Sequence, residues 1–242
     1  MKEFLRSLFN KSGFDLVRTK HFHGDYASHL KNVINDKHVE CVVDVGANAG
    51  QFGEFLRENG YNGHIVSFEP VQSVYASLEE KCGKDERWSC HQLALGSESD
   101  RKNINVYEST VFSSFLEAND YSKNIWHSLE NVAAEEVQVC RLDEVYEDLV
   151  GSLGCSSHML KLDTQGYDRQ VFDGSHGCLD KFCVLQSELS FIPVYDGMPD
   201  AYEVLEEYHK QGFFISGIYP INRDASLALI ESDCVLVKRT TA

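Results

Sequence analysis

Residues 40 to 70, ECVVDVGANAGQFGEFLRENGYNGHIVSFEP, constrain the fold more than any other stretch of the chain. An apolar, β-branched run ends on Asp44, Gly46 and Gly50 bracket a turn, a helix-period segment follows, and a second apolar run ends on Glu69. Strand, glycine turn, helix and strand in that order form a βαβ unit, which brings its two strands together in parallel. The rhythm continues along the chain. Apolar runs at 41–45, 64–68, 88–95, 158–163, 183–189, 213–219 and 233–238 predict strands, with helical segments at 51–59, 71–82, 167–173 and 199–211. The expectation is an α/β fold with a mostly parallel sheet and helices on both faces. Only NRDASLALIES separates the last two strands, too short for a helical crossover, so they are expected to pair as an antiparallel hairpin.

With 242 residues, 43% of them hydrophobic, the chain can bury one sizeable core. Amphipathic helices are expected at 2–12 and 25–36, giving a helical lead-in over 1–39 and one domain over 40–242. The segment 96–140 breaks the rhythm. RKNINVYEST alternates like a strand, but VFSSFLEANDYSKNIWHSLENVAAEE is polar, aromatic-spotted and irregular. It reads either as an active-site cover or as a surface insertion without a role.

The 22 basic and 38 acidic side chains leave a net charge of −16, a field that repels nucleic-acid backbones and anionic membranes. No nucleic-acid or membrane partner is therefore expected. The eight cysteines form no CxxC pair and mostly punctuate apolar runs, as in ECVVDV and FCVLQSEL, which points to free thiols in a reducing, cytoplasmic setting. The opening MKEFLRSLFNKSGF scatters charges through its apolar positions, unlike a signal peptide. His21 and His23 have no third ligand near them in the sequence, and no metal site is expected. His91 and His158 read as structural residues at strand starts.

In open α/β sheets a ligand sits beyond the carboxyl ends of the strands, where the strand order reverses. Gly46 and Gly50 lie at such an end and let the backbone bend sharply or approach a ligand closely. Glu69, 25 residues after Asp44, is placed to accept hydrogen bonds from the vicinal hydroxyls of a ribose. A dinucleotide fingerprint wants G-x-G-x-x-G, whereas Gly46, Gly50 and Gly53 are spaced G-x-x-x-G-x-x-G, and Asp44 adds negative charge where a pyrophosphate would lie. No GK[ST] follows, which excludes a P-loop. A cofactor with a ribose and an amino-acid end but no phosphate, S-adenosyl-L-methionine, fits these features. The plainer alternative is a tight turn made by Gly46 and Gly50, with Asp44 as a helix cap.

Taken together, VVDVGANAGQFG, SFEP, ALGSES, LKLDTQGYD and DCVLVKR resemble the FkbM-type family of S-adenosylmethionine-dependent methyltransferases, in order, from about residue 40 to 240. The resemblance implies a class I methyltransferase (Rossmann-like) fold, a seven-stranded, mostly parallel sheet closed by a C-terminal antiparallel hairpin. It also implies O-methylation, often of sugar or natural-product hydroxyls. Asp44, Gly46, Asn48 and Gly50 would line the methionine end of the cofactor, Glu69 would hold the ribose, and Leu93 and Ala94 would flank the adenine.

Methyl transfer to a hydroxyl needs alignment and a group to take the proton. In LKLDTQG, alternation along one strand would turn Lys161, Asp163 and Gln165 to one face. Lys161 and Asp163 would pair, either as a catalytic unit or as a buried structural ion pair. Members of the family often carry glutamate where this chain has Gln165 and Asp168. Because an amide cannot act as a base, Glu188 in LQSELSF is the substitute candidate, with Asp163 as its rival. Ser113 and Ser114 match a family feature and are candidates to hydrogen-bond the acceptor, or are plain turn residues. YDGMPD (195–200) either borders the acceptor pocket or only starts a helix.

The expected function is thus O-methyl transfer to a small hydroxylated acceptor (a sugar, glycan or natural product), by a chain that could form a homo-oligomer. Two alternatives stand beside it. One is an NAD(P)-dependent oxidoreductase with a Rossmann-type domain, and the other is a non-catalytic cofactor-binding module, which Gln165 keeps open.

Overall fold

Five consecutive buried residues, Cys41–Val45, make β1, and such uniform burial requires cover on both faces. The computed structural model describes residues 25–129 and 132–239. The helix expected at 2–12, with His21 and His23, lies outside the described residues. The helix expected at 25–36 is α1 (Tyr26–Asp36), whose first turn is capped by Asp25 accepting the Ser28 N–H.

β1 pairs in parallel with β2 (His64–Phe68) on one side and β7 (His158–Leu162) on the other. The full sheet runs β3-β2-β1-β7-β8-β10-β9, with β3 (Trp88–His91), β8 (Phe182–Ser190), β9 (Phe213–Arg223) and β10 (Leu229–Lys238). β10 is antiparallel to both β8 and β9, as the short final connection requires. The expected seven-stranded sheet with its hairpin is what forms.

Alternate side chains go to opposite layers. Val42, Ile65, Met159, Val184 and Val235 pack against α1, α2 (Gln51–Glu58) and α3 (Gln72–Cys82), through Leu30, Leu56 and Leu78. Val43, Leu160, Leu162, Leu185 and Leu236 face α5 (Leu142–Leu149), α6 (Asp168–Asp173) and α7 (Ala201–Lys210), through Tyr146, Phe172 and Tyr208. Each such side chain contributes roughly 1.5–3 kcal/mol when fully buried. Among the described residues, no helix is long and apolar enough to cross a membrane.

Three expectations need correction. The strand read over 88–95 is two strands. After β3 the chain folds back, Leu93 N–H donating to the His91 carbonyl at 3.0 Å, and β4 (Ala94–Leu95) leaves for another sheet. His91 is therefore at the carboxyl end of β3, not at a strand start, whereas His158 does begin β7. The irregular 96–140 excursion is largely ordered: β4, β5 (Asp100–Tyr107) and β6 (Val132–Cys140) form a three-stranded sheet, with α4 (Asp120–Ile125) on the way. This sheet packs Ile104, Val137 and Val139 against Val71 and Val74 near the start of α3. Lastly, β7 stops at Leu162, and Gln165 has φ +52°, so strand alternation does not reach Asp163 and Gln165.

Candidate active site

The chain lays down β1, β2 and β3 in one direction and then returns to place β7 on the other side of β1. The strand order reverses there, and the carboxyl ends of β1 and β7 open a crevice. Gly46 makes the turn out of β1 at φ +75°, and a Cβ on it would collide with the Asp163 carbonyl. Only glycine suits both the dihedral and the close approach. Gly50, at φ +87°, caps α2 and packs beside Leu78 and Trp88.

Between these loops lies a cavity of about 520 Å³. At one end, Glu69 closes β2 and is 5% exposed. Its Oε2 accepts the Asn48 N–H at 3.0 Å and its Oε1 accepts the Val71 N–H at 2.9 Å. Burial pushes its pKa up to about 7, although both N–H groups favour the charged form. Leu93, Ala94, Ile104 and Phe115 give this end an apolar wall.

Across the sheet, register places Ser67, Asp44, Lys161 and Gln186 side by side on adjacent strands. Asp44 is fully buried, with its Oδ1 3.0 Å from Lys161 Nζ and its Oδ2 accepting from Ser67 Oγ at 3.3 Å. Lys161 also stands 3.3 Å from Asp163 Oδ2, and its ammonium lies over the Phe52 ring. Burial opposes its charge, but the carboxylates of Asp44 and Asp163 outweigh burial and raise its pKa.

The other end is acidic. Asp163, Glu188, Glu231 and Asp233 all line it. All four take a neutral amide donor, from three amides. Gln165 Nε2 reaches Glu188 Oε2 at 3.0 Å and Asp163 Oδ1 at 3.2 Å, Asn222 Nδ2 reaches Glu231 Oε2 at 2.9 Å, and Gln186 Nε2 reaches Asp233 Oδ1 at 3.5 Å. Two tyrosines orient these amides from behind. Tyr195 donates to Gln165 Oε1 at 2.9 Å and Tyr26 donates to Gln186 Oε1 at 2.8 Å. Desolvation, reinforced by the neighbouring acids, lifts Glu188 well above the usual carboxylate range. Burial lifts Glu231 as well and pushes Asp233 up to about 6.

The structure gathers most of the residues singled out from the sequence. Gly46, Asn48, Glu69, Leu93, Ala94, Ser113, Lys161, Asp163, Gln165 and Glu188 line the cavity. Asp44 and Gly50 do not: Asp44 sits beneath Lys161, and it is Gly50 that caps the helix. Ser114 faces away, bonding the Gln165 carbonyl at 2.6 Å and receiving the Leu116 N–H. Asp168 is buried and holds Thr164 and Ser187, as a structural tie between the end of β7 and β8. YDGMPD does two jobs, since Tyr195 backs the cavity through Gln165 while Asp200 caps α7.

Tyr26, Gln186, Asn222, Glu231 and Asp233 escaped the sequence reading. Period-two spacing in LIESDCVLVK was a signal, because it turns Glu231 and Asp233 to one face, and Asp233 lies opposite Glu188 in the antiparallel register.

An adenosine-containing cofactor fits this cavity, with a carboxylate at the end of β2 for the ribose and apolar cover for the base. Among the described residues, the Ser113 hydroxyl oxygen, buried in the wall, has no hydrogen-bond partner. Similar solved structures include an uncharacterized protein from Listeria monocytogenes serotype 4b (11% identity, TM-score 0.49, covering 90% of this chain and 69% of that one). Another is Aeropyrum pernix fibrillarin in complex with natively bound S-adenosyl-L-methionine (12%, TM-score 0.44, 87% and 73%). A third is an rRNA methylase from Streptococcus thermophilus (11%, TM-score 0.44, 93% and 99%). A search of curated proteins finds no relative of this chain. The model of the methyltransferase FkbM domain matches residues 44–215, more than half of the chain. That match runs through the glycine turn, Glu69 and the Lys161–Asp163 pair, and with it the chain belongs to the FkbM methyltransferase family and is an S-adenosylmethionine-dependent methyltransferase.

Proposed function

We propose that the protein methylates a hydroxyl group of a small acceptor, a sugar, glycan or natural product, and that Glu188 takes the hydroxyl proton. The observation that carries this reading is the state of Glu188. It faces the cavity, receives one neutral donor from Gln165 and, among the described residues, pairs with no cation, and desolvation raises its pKa. A carboxylate so placed is a stronger base than one in water, as proton abstraction from a hydroxyl requires.

S-adenosylmethionine supplies the methyl group on a sulfonium leaving group. The chain's own residues bind and align. Glu69 and the Asn48 backbone are placed for the ribose, while Leu93 and Ala94 cover the base. Lys161, 4% exposed and shared by two carboxylates, holds Asp163 at the cavity edge beside Glu188. Gln165, where the family often has glutamate, spaces Asp163 and Glu188 with its amide and so joins the base without replacing it. Phe52, Phe55 and Tyr26 keep water from the polar row on the sheet. A small neutral acceptor is favoured by the size of the cavity and by its acidic wall, which repels phosphorylated and nucleic-acid acceptors.

The test is incubation with methyl-labelled S-adenosylmethionine and a panel of neutral sugars and glycans, with the methylated atom identified by mass spectrometry and NMR. Label on oxygen, lost about 10²-fold or more in Glu188→Gln while cofactor binding persists, is expected. Methylation at nitrogen, or full activity in Glu188→Gln, would sink the reading.

A further inference from the structure

The acidic end of the cavity holds more negative charge than one proton transfer needs. Asp163, Glu188, Glu231 and Asp233 converge there, while Lys161 is the sole cationic side chain in the wall among the described residues. Lys161 is already committed to Asp44 at 3.0 Å and Asp163 at 3.3 Å. The donors that reach Glu188, Glu231 and Asp233 from Gln165, Asn222 and Gln186 are all amides, which fix a carboxylate without neutralising it. Tyr195 and Tyr26 lock two of those amides with the NH₂ group towards the acids. The arrangement holds carboxylates in place and leaves their charge unmatched. Charge of that kind, walled from water on several sides, acts strongly on a cation brought into the same cavity.

We infer that these carboxylates read the sulfonium charge of the methyl donor, so that S-adenosylmethionine binds more tightly than S-adenosylhomocysteine, the uncharged thioether left after transfer. The inference rests on the proposed reading of the cavity. Methyl transfer removes one positive charge from the bound cofactor, and the same four side chains that held the donor then favour release of the product. Glu231, Asp233 and Asn222, like Tyr26, lie outside the stretch matched by the family model, whereas Asp163 and Glu188 lie within it, so the charge recognition joins family residues to the flanking strands.

The sign of the pH dependence follows. Glu188 is faced by Lys161 and Asp163 from β7 and its end, by Asp168 from α6, by Glu231 and Asp233 from β10, and by Tyr195. Asp233 is faced by Asp163, Lys161, Asp168 and Tyr26. Asp233 takes up a proton as pH falls through about 6, and that proton removes charge that a sulfonium would meet. Preference for the charged cofactor is therefore largest at high pH. Glu69 faces a ribose that both compounds share, so its titration leaves their ratio unchanged.

The experiment is calorimetric titration of each compound into the protein at about pH 8 and about pH 5.5, on either side of the Asp233 titration. S-adenosylmethionine is expected to bind roughly tenfold more tightly at the higher pH, with the gap closing to about threefold or less at the lower. Asp233→Asn and Glu231→Gln should each narrow the gap at high pH by weakening the charged compound alone, with retained binding of the thioether reporting an intact fold. Equal affinities at high pH would overturn the inference and leave the methyltransferase reading standing, with a cationic acceptor as the object of the charge. Saturable binding of neither compound would overturn both.

Discussion

The two ends of the cavity are held together by different means. At the β2 end, Glu69 receives backbone N–H groups from Asn48 and Val71, both on segments that adjoin β1 and β2 in the chain. At the β8–β10 end, carboxylates from β8, β10 and the turn after β7 are positioned by side-chain amides, and two of those by phenols on α1 and on the loop before α7. Backbone donors persist through most substitutions, whereas a side-chain relay can be changed one residue at a time. The β2 end is therefore the fixed half of the cavity, and the β8–β10 end is the half open to change. Between them stand Gly46, where the two loops touch, and Lys161, where the two charge systems meet.

Breaking that junction should have the largest effect. Lys161→Met leaves the fully buried Asp44 carboxylate without its cation and should cost about 3–5 kcal/mol in chemical denaturation. The double variant Lys161→Met with Asp44→Asn should recover much of that loss; if it does not, the pair is not what the lysine stabilises. Gly46→Ala comes next, at roughly 3 kcal/mol with loss of cofactor binding, because a side chain there meets both a positive φ and the Asp163 carbonyl.

A smaller effect separates the ends. Glu69→Gln keeps the shape but weakens the ribose contact, and calorimetry should find cofactor affinity reduced about 10–100-fold. The same variant carries a pH signature. The folded-state pKa of Glu69 is raised from 4.5 to about 7, so its contribution to stability is fully present below 4.5 and is lost as pH rises through about 7. Ligand-free wild type should therefore lose stability relative to Glu69→Gln between those limits, by up to about 3 kcal/mol. Parallel denaturation midpoints across that range would contradict it.

The smallest effect sharpens the contrast. Tyr195→Phe frees the Gln165 amide to turn and should lower turnover about three- to tenfold and shift its pH profile, while affinity for the uncharged S-adenosylhomocysteine stays near wild type. An equal loss of affinity for that compound would mean that the two ends are not separable.

Much of the fixed half was legible in the sequence. β1, β2, Gly46 and Glu69 lie within one continuous stretch, and their neighbours in space are near neighbours in the chain. The excursion was read less well. β6 buries only Val137 and Val139, and the acidic pair Glu135 and Glu136 hid its alternation. α4 and α5 are short and were not read at all. The ends of β9 and β10 were read short because their polar residues, Asn222 and Glu231 among them, face the cavity instead of a core. Alternation along LKLDTQG points Gln165 to the face of Asp163, and although β7 ends before both, the turn at φ +52° still brings its amide to Asp163.

By itself the sequence determined the order of the strands in the main sheet, the turn that only glycine can make, and the acid at the end of β2. Each of these follows from local patterning and backbone sterics, which act over a few residues and need no knowledge of the rest of the chain. Tertiary structure decided which charges share a cavity. Whether Asp44 faces a cofactor or a lysine, and whether Tyr26 reaches Gln186 across 160 residues of chain, depends on sheet register and layer packing. Electrostatic energy depends on distance and burial, and neither is written in any short stretch of sequence.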